Sequence, residues 1–76
     1  MIDKNENLQI TGYCNDCFRH FPFALNTTIN KFYDSFNSEF ENLKKCGYCN
    51  STNIDYHVIN NKNEEKTIIK NGEIVF

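Results

Sequence analysis

Cys14-Asn15-Asp16-Cys17 and Cys46-Gly47-Tyr48-Cys49 are two matched CxxC pairs, and together they hold all 4 cysteines of this 76-residue chain. A tight CxxC turn aims two side chains the same way. Two such turns can surround one ion with four soft thiolates, the tetrahedral donor set that suits Zn²⁺. Cys14, Cys17, Cys46 and Cys49 are therefore the expected metal ligands, and Zn²⁺ the expected cofactor. Residues 18–45 separate the pairs, a longer spacer than the roughly 15–20 residues common between such pairs. The spacing alone selects no subclass of zinc site.

The metal matters because of size. At 76 residues a single domain over 1–76 is expected, in the range where a hydrophobic core alone is marginal and a metal staple helps. Two alternatives stand beside it. Two disulfides would need an oxidising compartment, yet residues 1–7 (Met-Ile-Asp-Lys-Asn-Glu-Asn) carry no apolar run resembling a secretory signal. A CxxC redox motif usually comes singly, without a matched second pair. No stretch is apolar for long enough to span a bilayer, so no membrane association is expected and the expected setting is cytoplasmic.

Residues 13–54 resemble a zinc ribbon, the rubredoxin-like arrangement in which two short knuckles on β-hairpins grip one zinc. The run Cys46-Gly47-Tyr48-Cys49-Asn50-Ser51-Thr52-Asn53-Ile54 is the closest match. Many ribbons carry glycine after the second cysteine of a knuckle, where the backbone takes positive φ. Asn50 stands there in the second pair, and asparagine tolerates that region. Phe18 occupies the equivalent place in the first pair, where a bulky side chain is poorly suited. The resemblance implies a metal scaffold shared by many unrelated activities. By analogy it also brings transcription partners such as RNA polymerase into view.

Periodicity fills in the remainder. Residues 1–7 read as a flexible arm, and residues 8–13 alternate as a strand delivering Cys14. Arg19, Phe21, Phe23 and Leu25 then share one face of an extended segment, with Phe18, His20, Pro22 and Ala24 on the other. Pro22 lacks the N–H of a central strand, which predicts an edge strand or extended turn. From about 28 to 45, Phe32, Phe36 and Phe40 recur every four residues, Leu43 follows three later and Tyr33 lies beside them. That pattern predicts a helix capped by Thr27, Thr28 or Asn30, with Lys44 and Lys45 in its last turn. Its aromatic stripe reads as core packing before it reads as a docking face. Residues 54–59 form a further strand and 60–66 a polar loop. Residues 67–70, Asn71-Gly72 and 73–76 predict a hairpin with a type I′ turn, Lys70 opposite Glu73 and Ile69 facing Ile74. A hairpin ending in Val75 and Phe76 should dock its apolar face. The expected fold is α+β: a small zinc ribbon with two CxxC knuckles, a helix inserted between them and a C-terminal β-hairpin.

Little here assembles a reaction. Four cysteines close a zinc site that catalysis would need open. His20 and His57 have no identified partner for acid–base work, and Glu39 and Glu41 fall on different faces of the expected helix. There is no nucleophile elbow, glycine-rich phosphate loop or HExxH. Lys+Arg total 8 against Asp+Glu 10, a formal charge of -2, and four zinc-bound thiolates would deepen it. That balance disfavours phosphate binding, although Arg19, Lys31, Lys44 and Lys45 with Phe18, Phe21, Tyr33 and Tyr48 are the groups a nucleic acid would use. The expectation is a non-enzymatic interaction module with a protein partner, of the kind a phage or bacterial accessory protein supplies. The runner-up is a nucleic-acid-binding ribbon, and exposed strand edges leave room for a homodimer.

Overall fold

The computed structural model describes residues 2–21, 24–38 and 42–76. Among these residues, five strands make one antiparallel sheet: β1 (Leu8–Cys14), β2 (Leu25–Thr27), β3 (Ile54–Ile59), β4 (Glu65–Lys70) and β5 (Glu73–Ile74), in the order β2-β1-β3-β4-β5, and one helix, α1 (Ile29–Phe36), with a 3₁₀ turn (Asn42–Lys44) completes an α+β fold. Among the described residues no helix is long and apolar enough to cross a membrane.

Strand alternation does what the sequence pattern asks of it. Along β1, Leu8, Ile10, Gly12 and Cys14 face inward, so the same period that buries the apolar side chains carries the Cys14 sulfur inside. Gly12 is needed there because an added Cβ would lie 2.7 Å from Phe21 Cε2 and 2.9 Å from Tyr56 Cε1. The Tyr56 ring is the centre of the core. Phe32 meets it at 4.8 Å between ring centroids, Phe21 at 5.8 Å and Phe36 at 6.3 Å, all edge-on. Its hydroxyl donates to the Leu43 carbonyl at 2.7 Å, which gives the buried polar tip a partner and ties the 3₁₀ turn to β3. Phe32 and Phe36 are buried, so these two members of the aromatic stripe belong to the core. Phe40, like Pro22, Phe23, Glu39 and Glu41, lies outside the described residues.

The helix is shorter than the expected 28–45. Thr28 caps it, its Oγ1 accepting from the Lys31 N–H at 3.2 Å. It ends at Phe36, with the Asn37 N–H donating to the Tyr33 carbonyl at 3.0 Å. Asn37 and Ser38 are weak helix formers whose side chains compete with the backbone ladder, and the apolar period runs through them without regard to that. Lys44 and Lys45 therefore do not occupy the last turn of α1, which holds no basic residue. Lys44 closes the 3₁₀ turn instead.

The C-terminal hairpin has the expected register, Ile69 opposite Ile74 and Lys70 opposite Glu73. Asn71 (φ 51°) and Gly72 (φ 82°) both adopt the left-handed conformation of a type I′ turn. β4 begins at Glu65, which shortens the expected loop, and Asn60 Oδ1 closes it by accepting from the N–H groups of Lys62 and Glu64. The pairing of β3 with β4 shifts register: Tyr56 opposes Ile69 and His57 opposes Thr67. Ile68 is the extra residue of a bulge, and both Ile68 and Ile69 are 0% exposed. They, with Phe76, carry the docked apolar surface. Ile74 and Val75 are exposed, contrary to the expectation for Val75.

Candidate metal centre

Each cysteine pair sits where a regular element stops. Cys14 is the last residue of β1, and Cys46 follows the 3₁₀ turn at 42–44. The two loops then repeat one hydrogen-bond scheme at the same offsets. Cys14 N–H donates to the Arg19 carbonyl (2.9 Å) and Phe18 N–H to the Cys14 carbonyl (3.0 Å). In the second loop Cys46 N–H donates to the Ser51 carbonyl (2.8 Å) and Asn50 N–H to the Cys46 carbonyl (2.9 Å). Closing each loop requires a left-handed residue after its second cysteine. Asn50 takes φ 61° and Phe18 takes φ 59°. Phe18 thus adopts the conformation for which its bulk is poorly suited, at a cost of about 1–2 kcal/mol.

These loops bring together all four sequence-predicted ligands. The Sγ atoms of Cys14, Cys17, Cys46 and Cys49 all lie within 4.8 Å of one another. Cys14 to Cys49 and Cys17 to Cys46 are each 3.6 Å. Those separations are far beyond the roughly 2.05 Å of a disulfide, and all four thiols are free. They match the edge of a tetrahedron whose centre lies about 2.3 Å from each sulfur, which is about 3.8 Å. The cluster is therefore compatible with a zinc site. Neither histidine belongs to it. The His20 ring lies against Tyr13 at 4.7 Å, and His57 Nδ1 is 3.0 Å from Thr67 Oγ1.

Backbone N–H groups aim at the sulfurs. Burial opposes ionisation of Cys46, but the N–H groups of Tyr48 and Cys49 outweigh it and bring the thiol down to about 7. Burial and the neighbouring sulfurs push Cys17 up to about 12, against an opposing N–H from Arg19. Cys49 receives the Ser51 N–H, yet burial and Cys14 leave it raised. Cys46 is thus ready to ionise while Cys17 and Cys49 hold their protons more tightly, and a divalent cation is what would displace those.

The surroundings contain residues that sequence reasoning passed over. Asp55, 6% exposed, accepts at 2.9 Å from Asn15 Nδ2 inside the first loop and at 2.9 Å from the Asn71 N–H in the hairpin turn. Lys70 Nζ stands 3.8 Å from its other oxygen. Burial pushes this carboxyl up, but those donors and Lys70 more than reverse it and hold it below the ordinary value. Gly72 N–H donates to the Ile54 carbonyl at 2.9 Å. The type I′ turn is therefore packed against the segment that leaves the second loop. One signal for this was visible: an aspartate within a strand is disfavoured unless something binds it.

Protein-family models, curated proteins and solved structures offer no match to this chain. The four clustered cysteines stand on their own geometry.

Proposed function

We propose that the chain is a zinc ribbon in which Cys14, Cys17, Cys46 and Cys49 hold one structural Zn²⁺, and that it acts as a non-enzymatic module docking on a larger protein. Four sulfurs within 4.8 Å of one another, two pairs of them at 3.6 Å, on two like-folded loops carry the metal part of this reading. A set of four thiolates leaves no position for water or substrate, which favours a structural ion over a catalytic one. Reduced thiols of this kind suit the cytoplasm. Phe18 carries the docking part. It is 74% exposed at φ 59°, so it lowers stability twice, through backbone strain and through unburied apolar surface, and a partner that covers it would repay only the second.

Purified protein should contain one zinc per chain. Pull-down from the native host, read by mass spectrometry, should recover a partner with wild-type protein and lose it with Phe18→Ala. Retention of the same partner by that variant would remove Phe18 from the contact.

A second reading, nucleic-acid binding, draws on Arg19 stacked 4.6 Å above the Tyr48 ring near the exposed Phe18. Charge weighs against it. Lys44 is engaged over the Phe36 ring at 5.4 Å. Submicromolar, salt-sensitive binding of single-stranded or duplex nucleic acid in a mobility-shift assay, lost in an Arg19→Ala, Lys44→Ala, Lys45→Ala variant, would reverse the ranking.

A further inference from the structure

The likeness of the two loops extends beyond their backbones to the side chains that bridge them. Adding the same offset carries Asp16 onto Tyr48 and Arg19 onto Ser51. The cross-loop contacts obey that exchange. The Arg19 guanidinium of the first loop lies 4.6 Å above the Tyr48 ring of the second, and Ser51 Oγ of the second donates to Asp16 Oδ2 of the first. The two sulfur pairs at 3.6 Å, Cys14 with Cys49 and Cys17 with Cys46, follow the same exchange. Local twofold symmetry thus relates a cation–π contact to a charge-assisted hydrogen bond.

Arg19 and Ser51 also hold the cysteines of their own loops. The Arg19 carbonyl accepts from Cys14 and its N–H faces the Cys17 sulfur. The Ser51 carbonyl accepts from Cys46 and its N–H faces the Cys49 sulfur. Each residue therefore holds the backbone of its loop's first cysteine and the sulfur of its second through main-chain hydrogen bonds, and reaches the other loop through its side chain. A metal held by two sulfurs from each loop leaves only after the loops part. Parting them breaks both side-chain bridges.

We propose that Arg19 on Tyr48 and Ser51 on Asp16 are a pair of symmetric clasps, positioning residues that hold the two cysteine loops closed and set the rate at which the metal escapes. This rests on the zinc reading above. The two clasps differ in strength: an exposed cation–π contact is weaker than a hydrogen bond to a carboxylate. Asn53 Nδ2 adds a longer contact to Asp16 Oδ1, 3.4 Å. The polar clasp is thus the stronger of the two.

The test is the rate at which zinc-loaded full-length protein releases its metal to an excess of a chromophoric chelator. Tyr48→Ala should speed release about threefold, and Ser51→Ala or Asp16→Ala roughly fivefold. Tyr48→Phe keeps the ring face and Ser51→Thr keeps the hydroxyl, so both should stay near the wild-type rate. Arg19→Ala combined with Tyr48→Ala should release no faster than either single change, because one contact is lost once. Co²⁺-loaded variants should keep the charge-transfer bands of a four-sulfur tetrahedron, separating faster escape from a rebuilt site. Wild-type release rates in Tyr48→Ala and Ser51→Ala would overturn the clasps alone, as would Tyr48→Phe behaving like Tyr48→Ala. A wild-type protein that takes up neither zinc nor cobalt would overturn the zinc reading with them.

Discussion

Asp55 on β3 accepts a 2.9 Å hydrogen bond from Asn15, the residue directly after the first metal-site cysteine. The same oxygen accepts from the Asn71 N–H in the type I′ turn, so one buried carboxylate joins a sheet strand, a cysteine loop and the C-terminal hairpin. Its charge is held by these donors against the cost of burial.

This carboxylate should give the protein an acid limb. Its folded-state value is lowered from 3.8, so the unfolded chain binds the proton more readily. The stabilisation is complete above the unfolded value and is lost as pH falls through the folded one. Asp55→Asn keeps an acceptor for Asn15 and Asn71 but loses the charge, and should cost about 1–2 kcal/mol near neutral pH. With the metal still bound, urea unfolding midpoints of the two proteins should draw together as pH falls from about 6 to about 4. A constant gap across that range would show that the charge does not matter.

The aromatic core gives a larger effect. Phe36 is buried, with Phe32 at 6.2 Å and Tyr56 at 6.3 Å between ring centroids. Phe36→Ala leaves a cavity among rings that cannot all collapse into it, and should destabilise metal-saturated protein by about 3–5 kcal/mol. Near-wild-type denaturant stability would place Phe36 outside the core.

Gly72 tests whether the hairpin turn supports the metal loops. At φ 82° an L side chain is strained, and a Cβ there would lie 2.6 Å from the Thr52 carbonyl oxygen. Gly72→Ala should therefore cost about 2 kcal/mol in thermal or denaturant unfolding. Since Thr52 follows the second cysteine loop closely, zinc affinity should fall in the same variant. Lost stability with unchanged affinity would confine the role of the turn to the sheet.

What was legible in the sequence follows from which forces act locally. Strand period placed Cys14 at the inner end of β1, Asn71-Gly72 fixed the hairpin, and paired CxxC turns named the four sulfurs. Each depends on a few neighbouring residues. The helix was overextended because Phe32, Phe36 and Leu43 keep a helical spacing that Asn37 and Ser38 interrupt. The apolar period records burial and is silent on backbone continuity. The role of Asp55 was not legible, since its donors, Asn15 and Asn71, come from distant parts of the chain. Ile68 was missed as a bulge for a related reason: two adjacent isoleucines show that one of them must break alternation without showing where the partner strand slips. The left-handed Phe18 ran against its residue type. Only the hydrogen bonds that close its loop explain it.

Metal removal is the most direct trial of the site. Its four thiols must lose their protons to bind Zn²⁺, so apparent affinity should rise with pH, steeply while Cys17, pushed up to about 12, still holds a proton in the free protein. Cys46, at about 7, supplies a thiolate near neutrality, where Cys17 and Cys49 are raised and ionise with the metal. Cys46→Ser replaces that ligand by a neutral hydroxyl and should weaken zinc binding more than about a hundredfold, read by chelator competition. Because binding energy in so small a domain is largely folding energy, a strong chelator should unfold the wild-type protein, with loss of its circular dichroism signal and return of the signal on adding zinc. A metal-free protein with the same spectrum and unfolding midpoint would show that the core around Tyr56 suffices, and that the sulfur cluster does not hold the fold.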